Sequence, residues 1–427
     1  MGIFPYMIGS IIANNRAKRQ TRRAVKSIEQ NNELRRNITR YEPSDIEGFI
    51  ESDSMIGSYI ISGGKPYYRN RGAASIAACS LTRGIPVVIL HEGDSNLENT
   101  AKSLLPGFTN ALYMIKQGAS IYDPFFNRGN MEIWNLIYGS LRNASDISGV
   151  GMQYVFGIAE YIRTKGIPPY CDMFVRCPYD TLYDTIDESE NRGKITAQRA
   201  QQIRGMLTAG QAERANVQSF FSQLSFQGGG ILADKARRSN CVNVKAVASK
   251  NGAMIIDIGS SANDLLVNLI MNEIKEIVSS GKRIMLILDG IQVGTNDTLT
   301  RIVKALSARC LTTFLSDDVY ATLGADDNMF FSLAGNANMN FIFSHSSGVS
   351  CTKWAEVLGY YEVDKVSQSM QYSPTLQFGL GGGASSSISV NKNREYVVNP
   401  EEIFHMNDNE LYILIRSRQE LAYTTLR

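Results

Sequence analysis

Short apolar runs, each closed by a turn of glycine or acid, recur along this chain. Ser58–Ser62 (SYIIS) ends in Gly63-Gly64, Pro86–Leu90 (PVVIL) in HEGDS, Ala253–Ile258 (AMIIDI) in a glycine-serine turn, and Ile284–Leu288 in Asp289. Continuous apolar runs of this length read as strands buried on both faces. Thr312–Leu315, Phe341–Phe343 and Leu411–Ile415 (LYILI) read as further strands, and Ser120–Tyr122 as a very short one. Between them the apolar spacing shifts to three and four. Leu265, Leu266, Leu269, Ile270, Ile274, Ile277 and Val278 predict an amphipathic helix over Asp264–Ser279, ended by Gly281. Helices are also predicted over Gly72–Leu81, 130–142, 297–308, Trp354–Val363 and Pro400–His405. Strands alternating with helices predict an α/β fold, a mostly parallel sheet flanked by helices.

Two regions break the alternation. From about Gly149 the periodicity is helical throughout (MQYVFGIAEYIRT, YDTLYDTID, ITAQRAQQIRGMLT, ANVQSFFSQLS) until Gly228-Gly229-Gly230. That predicts an all-helical insertion domain over 149–232, splitting the sheet domain into 56–148 and 233–427. Residues 4–40 read as one helix within a basic N-terminal arm, 1–55. Gly379–Ser387 (GLGGGASSS) reads as a linker.

Two stretches bear on chemistry. An acid at the carboxyl end of a buried parallel strand stands where open α/β sheets bind ligands, so Asp289 is a candidate metal-side acid. On this stretch alone the plainer reading is an ordinary core strand capped by a turn aspartate. Strand, Gly63-Gly64 and helix have the layout of a phosphate-binding loop, with Lys65, Arg69 and Arg71 as candidate anion contacts. The residue types depart from GxxxxGK[ST]. Counting from Gly64 places Arg69, Asn70 and Arg71 where Gly, Lys and Ser/Thr belong. Pro66 carries no backbone donor, and Tyr67 and Tyr68 are bulky where phosphate must approach backbone.

Charge sharpens the picture of the arm. The formal net charge is +2, yet nine Lys/Arg against two Glu give residues 16–40 a local +7 and leave the body at −5. Arg16, Lys18, Arg19, Arg22, Arg23 and Lys26 suit an anionic membrane surface, nucleic-acid phosphates or a solvated helix that docks a partner. Six scattered cysteines without CxxC or nearby histidine fit reduced core thiols, pointing to a cytoplasmic protein. Three histidines, none in HExxH, give no support to metalloprotease or serine-hydrolase chemistry. The acid pairs Asp317-Asp318 and Asp326-Asp327 read as surface-loop acids. No apolar run reaches the ~18–20 residues of a spanning helix.

In this order the pieces resemble the TraG/TraD-type coupling proteins of conjugation and type IV secretion. VVILHEGDSNLE (Val87–Glu98) resembles that family's strand ending in D-x-K-G-E, and IIDIGSSANDLLVNLIMNEI (Ile255–Ile274) the strand, serine-rich turn and helix before its Walker B strand. IMLILDGI resembles the Walker B strand itself, WAEVLGYYEV (Trp354–Val363) its A-x-x-L-S-x-x-L-G region, and Asn393–Ile415 its C-terminal helix and strand. The resemblance implies a RecA-like ATPase fold, with ATP and Mg²⁺ as cofactors, Asp289 on the metal, and Arg309 facing a neighbouring subunit's nucleotide. It implies DNA or DNA–protein transfer substrates and other secretion components as partners, assembly as a hexamer or hetero-oligomer, and a cytoplasmic place at the inner membrane. The departures fall on the chemistry. The phosphate-loop lysine is missing, Gly290 replaces the Walker B glutamate, the strand after it ends Phe314-Leu315-Ser316-Asp317 without the expected Gln, and the N-terminal transmembrane pair is absent. The expectation is therefore a coupling-protein-like chain that recruits DNA or protein substrate with weak or no ATP hydrolysis. The alternatives are an active DNA-translocating ATPase with an atypical loop, using Lys65 or Arg69 on the phosphates, and a membrane-peripheral structural adaptor.

Overall fold

The computed structural model describes residues 4–53, 56–105, 107, 112–116, 120–141, 147–232, 234–236, 238–259, 264–295, 297–307, 310–372 and 384–427. Side chains before residue 19, among a few others, lie outside that description.

The strands are β1 (Ile38–Arg40), β2 (Tyr59–Ser62), β3 (Val87–His91), β4 (Leu112–Ile115), β5 (Ile121–Tyr122), β6 (Cys241–Val242), β7 (Ala253–Asp257), β8 (Met285–Asp289), β9 (Leu311–Ser316), β10 (Met339–Ile342), β11 (Tyr360–Tyr372), β12 (Ala384–Tyr396), β13 (Glu410–Ile415) and β14 (Glu420–Thr425). Ten of them form one sheet in the order β1-β14-β13-β10-β2-β9-β8-β3-β7-β4. From β10 to β4 every neighbour is parallel. β13 and β14 add an antiparallel hairpin beside β10, and β1 pairs parallel to β14 at the edge. The apolar runs thus lie where they were expected, at the centre of a parallel sheet.

Strand residues alternate between two cores. Ile61, Val87, Ile89, Ile255, Ile287 and Leu315 face one side, where the Pro66–Thr82 and Ser95–Leu104 helices pack. Ile60, Val88, Leu90, Ile256, Leu286 and Phe314 face the other, under Asp264–Ser279 and Asp297–Ser307. Gly72 sits where the first of these helices meets β2: a Cβ there would lie 2.6 Å from Ile61 Cδ1.

Between β5 and β6 the chain is helical, with Gly151–Arg163, Cys171–Val175, Leu182–Asn191, Ala197–Ala209 and Arg214–Gln227 as its main helices. The rings of Phe125, Phe174 and Phe221 knit this layer together. A buried Arg128–Glu273 pair at 2.8 Å, joined by the Tyr122 hydroxyl, fastens β5 and its following loop to the Asp264–Ser279 helix. Gln227 Oε1 accepts from the N–H groups of Leu265 and Leu266, capping that helix from the helical layer.

Three local expectations change. The arm helix, Phe4–Arg36, stops before the short strand β1. The helix expected over Trp354–Val363 spans Gly348–Leu358, and Tyr360 begins β11. Ser385–Ser387, read as linker, belong to β12; residues 379–383 of that stretch lie outside the description. β11 and β12 pair along their full lengths as an isolated antiparallel ribbon. The end of the arm helix braces it. Asn32 exchanges two hydrogen bonds of 3.1 Å with the Asp364 backbone, and Arg35 pairs with Asp364 at 2.9 Å. Arg36 donates to Val397 O and pairs with Glu402.

Candidate functional site

Register brings the carboxyl ends of the central strands into one row. Ser62 lies beside Ser316, Leu315 beside Asp289, Asp289 beside His91, and His91 beside Asp257. In open α/β sheets this edge is where ligands bind.

The glycine loop is much shorter than the sequence suggested. β2 ends at Ser62, and the helix begins at Pro66, which suits the first helical position because its missing N–H is not needed there. Tyr67–Arg71 are therefore helical residues, not loop. Only Gly63, Gly64 and Lys65 connect the two elements. Both glycines have positive φ, +84° and +66°. A Cβ on Gly63 would lie 2.4 Å from Ser344 O, and one on Gly64 2.7 Å from the Phe343 ring. Their N–H groups are spent inside the fold: Gly63 donates to Ser316 O at 2.9 Å and Gly64 to Ser344 O at 3.3 Å.

Arg69 closes the loop from the helix side. Its guanidinium donates to Gly63 O at 3.1 Å and to Gly64 O at 2.5 Å. Burial lowers its pKa, while the carboxylates of Asp289, Asp317 and Asp94 act in the opposite sense. Asp289 is buried at the end of β8, and its pKa is pushed up to about 7, chiefly by burial, with Asp94 and Glu92 adding and Arg69 opposing. Asn70, one residue on, donates to Asp94 Oδ2 at 2.9 Å, while Asp94 Oδ1 caps the Ser95–Leu104 helix. Gly290 also has positive φ, and its N–H donates to Leu315 O.

Sequence reasoning thus found Gly63, Gly64, Arg69 and Asp289, and the fold brings these four together. It places the others elsewhere. Lys65 pairs with Asp408 on the surface, at 3.0 Å. Arg71 turns to Glu47 and to the Tyr67 hydroxyl. Arg309, and the side chains of Arg16 and Lys18, lie outside the described residues. Arg19, Arg22, Arg23 and Lys26 are exposed on the arm helix. The acid pairs are largely helix caps: Asp318 accepts from Ala321 N–H and Asp326 from Met329 N–H.

One tie had no signal in the sequence beyond two separate residue types. His345 Nδ1 lies 2.8 Å from Phe343 O, to which it donates, so Nε2 accepts from the Ser62 hydroxyl at 2.7 Å. Ser62 Oγ in turn accepts from Val319 N–H at 3.1 Å. Burial lowers the His345 pKa, which keeps the ring neutral. With Ser62 fully buried and both its bonds satisfied, this pair anchors the turn after β2 and exposes no nucleophile.

No protein-family profile matches this chain, and no curated protein sequence matches it. Its α/β fold is similar to that of a bacterial conjugative coupling protein. The unbound monoclinic form of the bacterial conjugative coupling protein TrwBdeltaN70 superposes over 90% of this chain and 90% of that chain, with TM-score 0.51 and 13% identity. The plasmid coupling protein TrwB in complex with the ATP analogue ADPNP covers 87% of this chain and 85% of its own, with TM-score 0.51 and 15% identity. Among the described residues no helix is long and apolar enough to cross a membrane.

Proposed function

We propose that this chain is a coupling-protein-like member of a conjugative or type IV secretion apparatus that recruits DNA or protein substrate, with little or no ATP hydrolysis of its own. The observation that carries this reading is the Arg69 guanidinium held on the carbonyls of Gly63 and Gly64. A phosphate loop works by aiming free N–H groups at the anion. Here two of the three loop N–H groups face carbonyls, the next residue is proline, and a fixed cation stands against the carbonyl side. Asp289 has that cation to answer its charge, and Gly290 supplies no group to orient an attacking water. These residues do not fit a magnesium nucleotide, and they hold no group placed to assist phosphoryl transfer.

The remaining parts have roles in this reading. The sheet domain, 56–148 and 233–427, is the scaffold, and the helical insertion, 149–232, meets substrate. The exposed Arg19, Arg22, Arg23 and Lys26 meet DNA phosphates, or an anionic inner-membrane surface from the cytoplasmic side, within a hexamer or hetero-oligomer. ATP binding by calorimetry and turnover of the purified chain test the central claim. The expectation is no binding at millimolar ATP, and a release of phosphate equal in wild type and Asp289→Ala. Turnover that disappears in Asp289→Ala would mean a working ATPase with an atypical loop.

A further inference from the structure

Between the helical insertion and the chain that returns from it, a cleft of about 290 Å³ opens beside the Cys171–Val175 helix. Lys165, Arg176 and Lys235 stand around it, all three exposed. Its single carboxylate, Asp172, is buried and already matched: Arg238 grips both oxygens, at 3.0 and 2.7 Å. Arg238 is itself held over the Tyr170 ring, 5.0 Å from its centroid. Among the described residues none of the other three cations pairs with a carboxylate; Lys165 Nζ lies 4.6 Å from the Tyr161 ring centroid. The mouth therefore carries three uncompensated positive charges. Its wall is apolar, formed by Tyr161, Ile167, Met173 and Pro178. Past Asp172 and Arg176 it runs on into a second cleft of about 180 Å³, lined by Gly228-Gly229-Gly230 with Asp234 at its far side.

Three cations around one mouth, none of them ion-paired among the described residues, select an anion of concentrated charge, which is a phosphate rather than a carboxylate. An aromatic and aliphatic wall beside them suits a flat apolar body attached to that phosphate. The continuing cleft gives the ligand a direction, and glycine backbone lets a second unit approach closely. Cations tracking a backbone beside surfaces for its bases are the arrangement by which proteins hold single strands. The volume, near the lower end of the ~300–1,000 Å³ of small-ligand clefts, takes about one nucleotide. We propose that this cleft binds a nucleotide phosphate of single-stranded nucleic acid, with Lys165, Arg176 and Lys235 on the phosphate and the base against the Tyr161–Met173 wall. The site rests on the recruitment reading above and gives it a place on the molecule.

The test uses the full chain and the variant Lys165→Gln/Arg176→Gln/Lys235→Gln, which leaves the Asp172–Arg238 pair intact and so keeps the fold. Binding of fluorescein-labelled oligothymidylate is followed by anisotropy across a salt series, and thymidine 5′-monophosphate is titrated calorimetrically. The variant is expected to bind the oligonucleotide on the order of tenfold or more weakly, with a log–log salt slope shallower by about 0.7, as the loss of one single-strand phosphate contact requires. It is also expected to lose the mononucleotide. Equal oligonucleotide affinity and slope in both chains overturns the site and leaves recruitment standing through the arm. An oligonucleotide bound by neither chain, with the mononucleotide still distinguishing them, keeps the cleft and removes DNA recruitment. A phosphopeptide bound with the same dependence, and no nucleotide bound at all, overturns the ligand class.

Discussion

Replacing Arg69 by Met keeps most of the side-chain stem and removes the guanidinium, so it isolates what that group does. Two charge-assisted hydrogen bonds, to Gly63 O and Gly64 O, are lost. Each contributes ~1.5–3 kcal/mol, and part of this is returned because burying the guanidinium was itself unfavourable. The net loss should be about 3 kcal/mol. The pH dependence separates charge from packing. Asp289 has a folded pKa of about 7, raised from the ordinary carboxylate value. The folded state therefore holds a proton that the unfolded state has released, and stability falls as pH rises from ~4 to ~7. Without Arg69 the Asp289 pKa climbs further, so the falling window extends upward by ~1.4 kcal/mol for each added unit. At about pH 5.5 Asp289 is protonated in both proteins and only the hydrogen-bond loss is seen; at about pH 8.5 the electrostatic loss adds to it. Urea unfolding at the two pH values, followed by tryptophan fluorescence, measures both. A loss below ~1 kcal/mol at both would show that the loop does not depend on Arg69. An equal loss at both would show that its charge does not answer Asp289.

Two further outcomes follow from the same structure. Gly64→Ala must adopt a positive φ and place its Cβ 2.7 Å from a fully buried Phe343 ring, so a loss of ~2–4 kcal/mol in urea unfolding is expected; a change under ~1 kcal/mol would mean the turn is looser than described. Removing residues 1–36 strips the β11/β12 ribbon of its brace, and a two-stranded ribbon alone is marginal. Trypsin should then cut at Lys365, Lys392 and Arg394 well before the parallel core is lost, and an unchanged digestion rate would contradict the bracing role.

The parallel core was legible because burial on both faces leaves a plain mark: Val87–Leu90 and Ile284–Leu288 are unbroken apolar runs. The ribbon was not, because YYEVDKVSQSMQY carries no clean alternation of apolar and polar residues. The start of the Pro66–Thr82 helix was missed for a different reason. Two tyrosines and two arginines after proline look like loop chemistry, yet they are helical, with Arg69 N–H bonded back to Lys65 O. At the site, residue types gave the positions of Arg69 and Asp289 but not their relation. A guanidinium beside a glycine loop can attract a phosphate or take its place, and the choice depends on where the loop N–H groups point. The Ser62–His345 tie joins residues 283 apart in sequence, and local pattern holds no record of such a contact.

The seat of the arm has a consequence for the order of assembly. Every partner described for its end lies far down the chain: Asp364 on the ribbon, Val397, Glu402, and β14, whose Leu421 pairs with Ile38. During synthesis the first forty or so residues emerge with none of these in existence. The cationic helix must wait, unpartnered, while the sheet fills in from β2 outward, and β1 can close the edge only after residues 420–425 have been made. Closing so long a loop is slow, and an early basic segment meets whatever anion is near before it meets its own fold. Docking of the arm is thus a late event, and it reports that the rest of the molecule is already in place.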